Sequence, residues 1–194
     1  MRIKVDFDAG RFLRGNRDLL QQMPFAIAMA LTHTAKDAQK RLIADLPAHF
    51  TIRDKWVSRG IRIVPARKND PVAEVGSKDA FMARQAIGGV KEGKDGMVAI
   101  PIAARANPRR KTRPSKWPKA LLRKDRHFIG SAAGKLGVWK KSKRGRLKLM
   151  WLLREKVNIP ARWPFLDTVS DVVRKEWHRN AWKALERAVK TAKR

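Results

Sequence analysis

The chain has 194 residues, of which 43% are hydrophobic, enough to build a packed core. It carries 46 Lys and Arg residues against 17 Asp and Glu, a formal net charge of +29, and it contains no cysteine. The lack of cysteine excludes disulfides, thiolate metal sites and thiol nucleophiles, and the charge predicts a polyanionic partner such as DNA, RNA or an anionic membrane.

The positive charge is concentrated in the middle of the chain. Residues 101–150 hold 17 basic side chains and one acidic side chain, more than half of the net charge in about a quarter of the sequence. No segment approaches the ~18 apolar residues of a membrane-spanning helix. The N-terminus lacks the apolar run of a secretory signal. We therefore expect a protein made in a cytoplasm, neither secreted nor inserted in a membrane.

A strand followed by a long helix is predicted for the N-terminal region. Ile3, Val5 and Phe7 alternate with charged residues, which is typical of a strand. Pro24 is suited to a first helical position, and Pro47 is expected to end the helix. Apolar residues recur between them at steps of three and four: Ala28, Leu31, Ala35, Ala38, Leu42 and Leu46.

Short strands separated by turns are predicted for residues 50–102. Three apolar runs, 61–64, 72–75 and 97–100, are each bounded by proline or glycine. Residues 81–87 are compatible with one or two helical turns. We expect an antiparallel sheet that covers one face of the first helix.

The basic middle of the chain contains two distinct segments. Residues 103–120 combine three prolines with a run of cations, which disfavours a regular helix and predicts an exposed arm. Residues 136–139 and 147–151 resemble two strands, joined by a turn at 140–146 that carries five cations.

A long helix is predicted at the C-terminus. Trp163 and Pro164 precede it, and its last turn carries Lys190. Its apolar stripe consists of Phe165, Val169, Val172, Val173, Trp177, Ala181, Ala184, Leu185 and Ala188.

These elements predict an α+β fold in which the long N-terminal helix and the C-terminal helix pack on a small antiparallel β-sheet, with an extended basic arm. We expect one domain with extensions. Its parts are the strand, helix and sheet segment 1–102, the Pro-rich basic arm 103–120, and the basic hairpin with the C-terminal helix, 121–194.

The cations of the arm and of the hairpin tip are the candidate binding residues for nucleic acid or a protein partner. A surface of this kind would contact phosphates, and its affinity would depend steeply on salt and little on base sequence. Acidic protein surfaces are the alternative target. The candidate residues are Arg105, Arg109, Arg110, Lys111, Arg113, Lys116, Lys140, Lys141, Lys143, Arg144 and Arg146.

Two pairs of residues are candidates for metal or nuclease sites. His33 and Asp37 lie four apart on the first helix, but no third ligand follows at a telling spacing. Asp70 and Glu92 resemble part of a metal-dependent nuclease motif, but Glu92 lies in a Gly-rich segment that predicts a surface turn. We expect neither pair to bind a metal.

Two further patterns are candidates for catalytic or nucleotide sites. Asp125 and His127 could form a general-base pair, but in so basic a segment the carboxylate is expected to pair with a neighbouring arginine or to cap a turn. Residues 130–135 resemble a phosphate loop, but one residue is missing between the glycines, and Leu136 occupies the position of the magnesium-binding hydroxyl. We therefore predict a protein that is not an enzyme and has no cofactor or metal.

Five segments of the chain follow one another in a characteristic order: 23–35, 50–57 with Gly60 and Ile61, 85–89, 98–101 and 159–165. Their order and spacing resemble the tailed-phage minor tail protein Z family, also called tail-completion proteins. The resemblance covers roughly residues 23–190, although His33 stands where the family usually has Asn.

The resemblance implies a structural virion protein of the tail or neck that completes the head-proximal end of a phage tail and enables head–tail joining. It implies a homo-oligomeric ring, a hexamer, in contact with tail-terminator, tail-tube or head–tail connector proteins. Genomic double-stranded DNA is a further expected partner, and no small-molecule substrate is expected. The alternative is a cellular DNA- or RNA-binding protein without sequence specificity.

Overall fold

A computed structural model describes residues 17–93 and 96–192, and the strand predicted at residues 3–7 lies outside them. The chain forms two compact units. The first, here called the helical unit, comprises Met1–Phe50, Asp54–Ala86 and Arg162–Arg194. The second, here called the β unit, comprises Thr51–Arg53 and Ile87–Ala161.

Helices and strands alternate along the chain. The helices are α1 (Arg17–His49), α2 (Trp56–Gly60), α3 (Ala80–Ile87), α4 (Pro118–Leu122) and α5 (Phe165–Ala192), and a 3₁₀ turn spans Pro114–Lys116. The strands are β1 (Ile61–Val64), β2 (Glu74–Ser77), β3 (Gly89–Glu92), β4 (Val98–Pro101), β5 (His127–Ala132), β6 (Lys135–Lys141), β7 (Leu147–Arg154) and β8 (Lys156–Ile159).

The apolar stripe predicted for α1 is confirmed, since all six of its residues are buried. The predicted ends of the helix are wrong, because α1 continues through both Pro24 and Pro47. Buried Met23 and Ala26 extend the same stripe on either side of Pro24. Proline removes one backbone hydrogen bond from a helix, and the packing of these neighbours offsets that loss.

The predicted C-terminal helix is confirmed as α5, and it packs against α1 through small side chains. Ala26 and Ala30 of α1 form a buried cluster with Ala184 and Ala188 of α5. An alanine side chain occupies little space between two helices. The backbones of α1 and α5 can therefore approach closely and pack together.

A buried polar link fixes the alignment of α1 and α5. The Nδ2 group of Asn180 donates to Thr34 Oγ1 at 3.2 Å and to Asp37 Oδ2 at 2.9 Å. Thr34 and Asn180 are both buried, so their polar groups need these partners. One alignment of the helices satisfies them, and a sliding of either helix would break the bonds.

A two-stranded sheet covers part of α1. Strands β1 and β2 pair antiparallel, with Ile61 opposite Ser77. Gln39 Nε2 donates to the carbonyl of Ile61 at 2.7 Å, which ties the sheet to the helix. The strand predicted at 61–64 is confirmed, and the next strand lies two residues later than predicted, at 74–77.

The third predicted strand of that group belongs to a different sheet. β4 pairs with β7 in a four-stranded antiparallel sheet of order β4-β7-β6-β5, which lies in the β unit. The expectation that one sheet would hold all three strands is therefore wrong. Pairing with the long strand β7 buries Val98.

The four-stranded sheet confirms the predicted basic hairpin, which is formed by β6 and β7. One face of it builds a core of Ala104, Leu121, Val138, Met150 and Trp151. At Gly137 an added Cβ would lie 2.3 Å from the carbonyl oxygen of Trp151, so only glycine allows the strands to pair this closely.

The α+β fold class is confirmed. The short pair β3–β8 completes the β unit, with Gly89 opposite Ile159. Among the helices that the structure describes, none is long and apolar enough to cross a membrane.

Candidate nucleic-acid interface

A β-bulge in β7 anchors the first end of the basic loop, our name for residues 104–117. Val138 of β6 lies opposite Trp151, and the next residue, Trp139, lies opposite Leu149. Met150 is therefore the extra residue of the bulge. Its carbonyl oxygen accepts hydrogen bonds from the backbone N–H of Ile102 at 3.0 Å and of Ala104 at 3.2 Å.

Two indole groups anchor the other end of the basic loop. Trp151 Nε1 donates to the carbonyl of Lys116 at 2.8 Å, and Trp117 Nε1 donates to the carbonyl of Thr112 at 3.3 Å. Because both ends are tied down, the segment predicted as an extended arm folds back into a closed loop with a 3₁₀ turn near its end. Three prolines exclude a long helix there, but they are compatible with such turns.

Hydrogen bonds across the basic loop fix its interior. Arg105 Nε donates to Thr112 Oγ1 at 3.1 Å. The side-chain oxygen of Asn107 accepts from the backbone N–H of Arg109 at 2.8 Å, which forms an Asx-turn. Arg53 Nε donates to the carbonyl of Pro108 at 2.7 Å, which adds a further cation beside the loop.

The basic loop lines a surface cavity of about 270 Å³ that is open to solvent. Five of the predicted candidate residues meet at its wall, and no acidic residue is among those that line it in the described part of the chain. Partial burial, followed by repulsion from Arg53, lowers the pKa of the Arg105 guanidinium. The lining residues are Ala104, Arg105, Ala106, Asn107, Arg110, Lys111, Arg113 and Lys116.

The tip of the β6–β7 hairpin is a tight, exposed turn. The Ser142 N–H donates to the carbonyl of Arg146 at 2.8 Å, and Gly145 adopts a φ of 78°, which favours glycine. All five cations predicted for this turn are exposed, with Lys140 and Lys141 on the end of β6 and the other three in the turn itself.

A row of basic side chains crosses three strands of the sheet. Lys140 of β6 lies directly opposite Lys148 of β7 and directly opposite His127 of β5. Opposed residues of neighbouring strands project to the same face, and like charges in that arrangement repel. Lys148 was not among the predicted site residues, because only the strand register brings it beside Lys140.

Both groups of predicted site residues lie in the β unit, which has 22 basic and four acidic residues. The structure brings Arg105, Arg110, Lys111, Arg113 and Lys116 together at the cavity and leaves Arg109 outside its lining. So few carboxylates can pair with only a small share of the unit's cations. A large positive potential is the result.

The metal-site hypotheses gain no geometric basis. Glu92 lies on β3 and not in the predicted surface turn, and its carboxylate pairs with Lys156 at 2.9 Å. Asp37 accepts from Asn180 and lies 3.7 Å from Arg179, so cations and an amide occupy it. In residues 17–93 and 96–192 there is no cluster of three metal-ligating side chains.

The remaining two patterns adopt ordinary structures. His127 Nδ1 lies 3.0 Å from the backbone carbonyl of Asp125, so this contact involves the main chain and not the carboxylate. Residues 130–135 form the end of β5 and its turn into β6, where Ala133 and Gly134 have positive φ. A phosphate loop leads into a helix, and this turn leads into a strand.

No protein-family model matches this chain, and neither a curated protein nor a solved structure does. The resemblance to the minor tail protein Z family therefore stays a prediction from the order of its segments. The candidate interface consists of a closed cationic loop and a cationic hairpin, which both lie in the β unit.

Proposed function

We propose that the chain is a structural subunit of a phage virion that completes the head-proximal end of the tail and enables head–tail joining. The observation that carries the proposal is the concentration of exposed cations on one of the two units, the β unit. A subunit beside a DNA channel needs such a surface together with a second one for contacts with its neighbours. The resemblance of the segment order to the minor tail protein Z family supports the specific role.

Exposed aromatic side chains on the helical unit support contacts with other subunits. Trp56 and Phe81 stack edge to face, with ring centroids 5.4 Å apart, and are 44% and 39% exposed. Trp182 on α5 is 64% exposed. Aromatic residues are enriched at protein interfaces, where they bury large apolar areas. We propose that these residues contribute to a homo-oligomeric ring and to contacts with tail-tube, tail-terminator or connector proteins.

The cations of the β unit would then contact the genome near the junction, or acidic surfaces of neighbouring proteins. Contacts with phosphates give affinity without base specificity, which suits a channel through which any sequence must pass. The proposal includes no catalytic step, no cofactor and no small-molecule substrate.

Deletion of the gene from the phage genome tests the tail role. We expect negative-stain images of the lysate to show full-length tails separated from filled heads, and wild-type protein supplied from a plasmid to restore joined particles. Joined, infectious particles in the absence of the protein would contradict the proposal.

A cellular nucleic-acid-binding protein is the second candidate, favoured by the excess of 22 basic over four acidic residues in the β unit. Sedimentation of lysates separates the two functions. A tail subunit travels with phage particles, whereas a cellular protein of this charge travels with ribosomes or nucleoid in cells that carry no phage.

A further inference from the structure

We propose that the cavity of the basic loop is a binding site for a phosphate group. The inference rests on the proposed function only for the source of that group, which is either the backbone of a nucleic acid or a free phosphate. Four lining cations other than Lys111 carry the argument: Arg105, Arg110, Arg113 and Lys116.

The size of the cavity suits a small oxyanion. A volume of about 270 Å³ exceeds the roughly 30 Å³ that one water occupies in the liquid, so a tetrahedral anion and several waters fit together. The cavity opens on the surface of a loop and not in the core, so a phosphate attached to a polymer can reach it as well as a free one.

The donors around the cavity match the chemistry of phosphate. Each guanidinium group presents several N–H donors in a planar fork that binds two oxygens of one phosphate. Lys116 adds an ammonium group at the wall, and Asn107 adds an amide. The side-chain oxygen of Asn107 already accepts from the Arg109 N–H, so Nδ2 is its remaining donor.

The electrostatics of the loop favour an anion between these side chains. Arg105 is partly buried and near Arg53, and both effects lower its pKa because its charge is poorly stabilised. The negative charge of a bound phosphate would favour the charged guanidinium and so offset both effects. Among the described residues, those that line the cavity are either positively charged or uncharged.

The loop is held in place before any ligand arrives. The Met150 carbonyl fixes its first end, and the Trp151 indole fixes the Lys116 end. Arg105 is held by its bond to Thr112. A loop backbone that is already ordered loses less entropy on binding, so this loop is expected to bind more tightly than a flexible tail of the same charge.

Calorimetric titration of the full chain with inorganic phosphate and with pyrophosphate tests the free source. The cavity variant is Arg110→Gln with Arg113→Gln, and the matched control is Lys143→Gln with Arg144→Gln, which removes the same charge from the hairpin tip. We expect the cavity variant to lose about tenfold in affinity and the control to stay within about twofold, since only the first removes bidentate donors.

Fluorescence anisotropy with a labelled DNA duplex tests the polymer source. If a backbone phosphate occupies the cavity, the cavity variant weakens DNA binding more than the control. The slope of log affinity against log salt then falls by about one for each phosphate that the variant no longer binds. Weaker DNA binding by the cavity variant, with no response of the wild type to free phosphate, assigns the site to the polymer.

Equal losses of affinity by the two variants in every titration would overturn the proposal, as would a wild-type chain that binds neither free phosphate nor DNA. Should the cavity variant fail to fold, nitrogen NMR of the wild type decides. The side-chain Nε–H signals of Arg105, Arg110 and Arg113 must then shift on addition of phosphate or duplex, and unchanged signals would refute the site. Gene deletion tests the tail role separately, because it does not depend on these titrations.

Discussion

The two units of the chain treat charge in opposite ways. In the helical unit, carboxylates lie beside cations along the helices, as in Arg41 with Asp45 and Arg174 with Asp171. In the β unit, Lys140 and Lys148 face each other across two strands, and arginines share one cavity. In the helical unit these cations lie beside carboxylates, so their charges attract. The β unit places its charges where they repel, which is expected when a partner supplies the opposite charge.

The largest expected effect concerns the packing on which the helical unit depends. Leu42, in the C-terminal third of α1, is 0% exposed. We expect Leu42→Ala to lower the free energy of unfolding by about 2–5 kcal/mol, because it leaves a cavity in a filled core. Urea unfolding measures it, with Leu20→Ala, 44% exposed on the same helix, as the control. Equal effects of the two changes would contradict the core described for this unit.

The equivalent test of the β unit is a steric one. An alanine at Gly137 places its Cβ against the backbone of Trp151 on the neighbouring strand, so we expect Gly137→Ala to destabilise by about 2–3 kcal/mol. Gly76→Ala is the matched control, since a Cβ there meets nothing within 4 Å. Hydrogen exchange of the β6 and β7 amides localises the effect, and unchanged protection would refute the close pairing.

The polar link between α1 and α5 is expected to contribute less than the core. Asn180→Ala removes two hydrogen bonds, one to the buried Thr34 hydroxyl and one to the half-buried Asp37 carboxylate, at a cost of about 1–2 kcal/mol. Asn158→Ala, at an exposed position of β8, serves as the control in the same thermal unfolding measurement. A neutral result for Asn180→Ala would show that packing alone sets the helix alignment.

The smallest expected effect is the change in stability when one lysine of the β unit is neutralised. It tests the comparison of the two units directly, because its sign depends on the charge beside that lysine. Lys148→Gln removes a repulsion from Lys140, and we expect it to stabilise the fold by about 0.2–1 kcal/mol at low salt while weakening DNA binding. Lys156→Gln in the same unit removes the pair with Glu92 and should destabilise by a similar small amount.

Both of these small effects should disappear at about 1 M salt, where screening shortens electrostatic interactions to a few ångströms. Thermal unfolding at two salt concentrations measures them. The same sign for both variants would show that local charge repulsion does not distinguish this face of the sheet.

The sequence predicted those elements whose buried residues recur with the period of the helix or strand itself. The stripe from Ala28 to Leu46 has the spacing of a helix, and the hairpin around residues 140–146 has alternating strands on either side of a charged turn. Such a pattern lies within one element, because the residues that face the core recur at a fixed spacing along it. The sequence therefore predicted α1, α5 and the hairpin.

The elements that sequence reasoning missed depend on distant partners. β5 contains Gly130, Ser131 and Ala132, residues with little strand preference, and pairing with β6 over its whole length makes it a strand. β3 is exposed at every position and forms only because β8 lies beside it. Neither strand has a hydrophobic pattern of its own that would reveal it.

For the candidate site, the sequence predicted which cations take part but not how they are arranged in space. The cations of residues 105–116 are obvious in the sequence, but their arrangement around a cavity depends on the Met150 carbonyl and the Trp151 indole, about forty residues later. Lys148 was missed for the same reason, since its neighbour Lys140 is found only through the register.

The bulge at Met150 also restricts how this protein can change over evolution. Deleting that single residue would restore regular pairing between β6 and β7, but it would remove the carbonyl that accepts from Ile102 and Ala104. A one-codon deletion in the hairpin would thus loosen one end of a loop that begins nearly fifty residues earlier, while the Trp151 indole still holds the other end. A change in the length of β7 therefore reaches the position of the basic loop, although the two segments are far apart in the sequence.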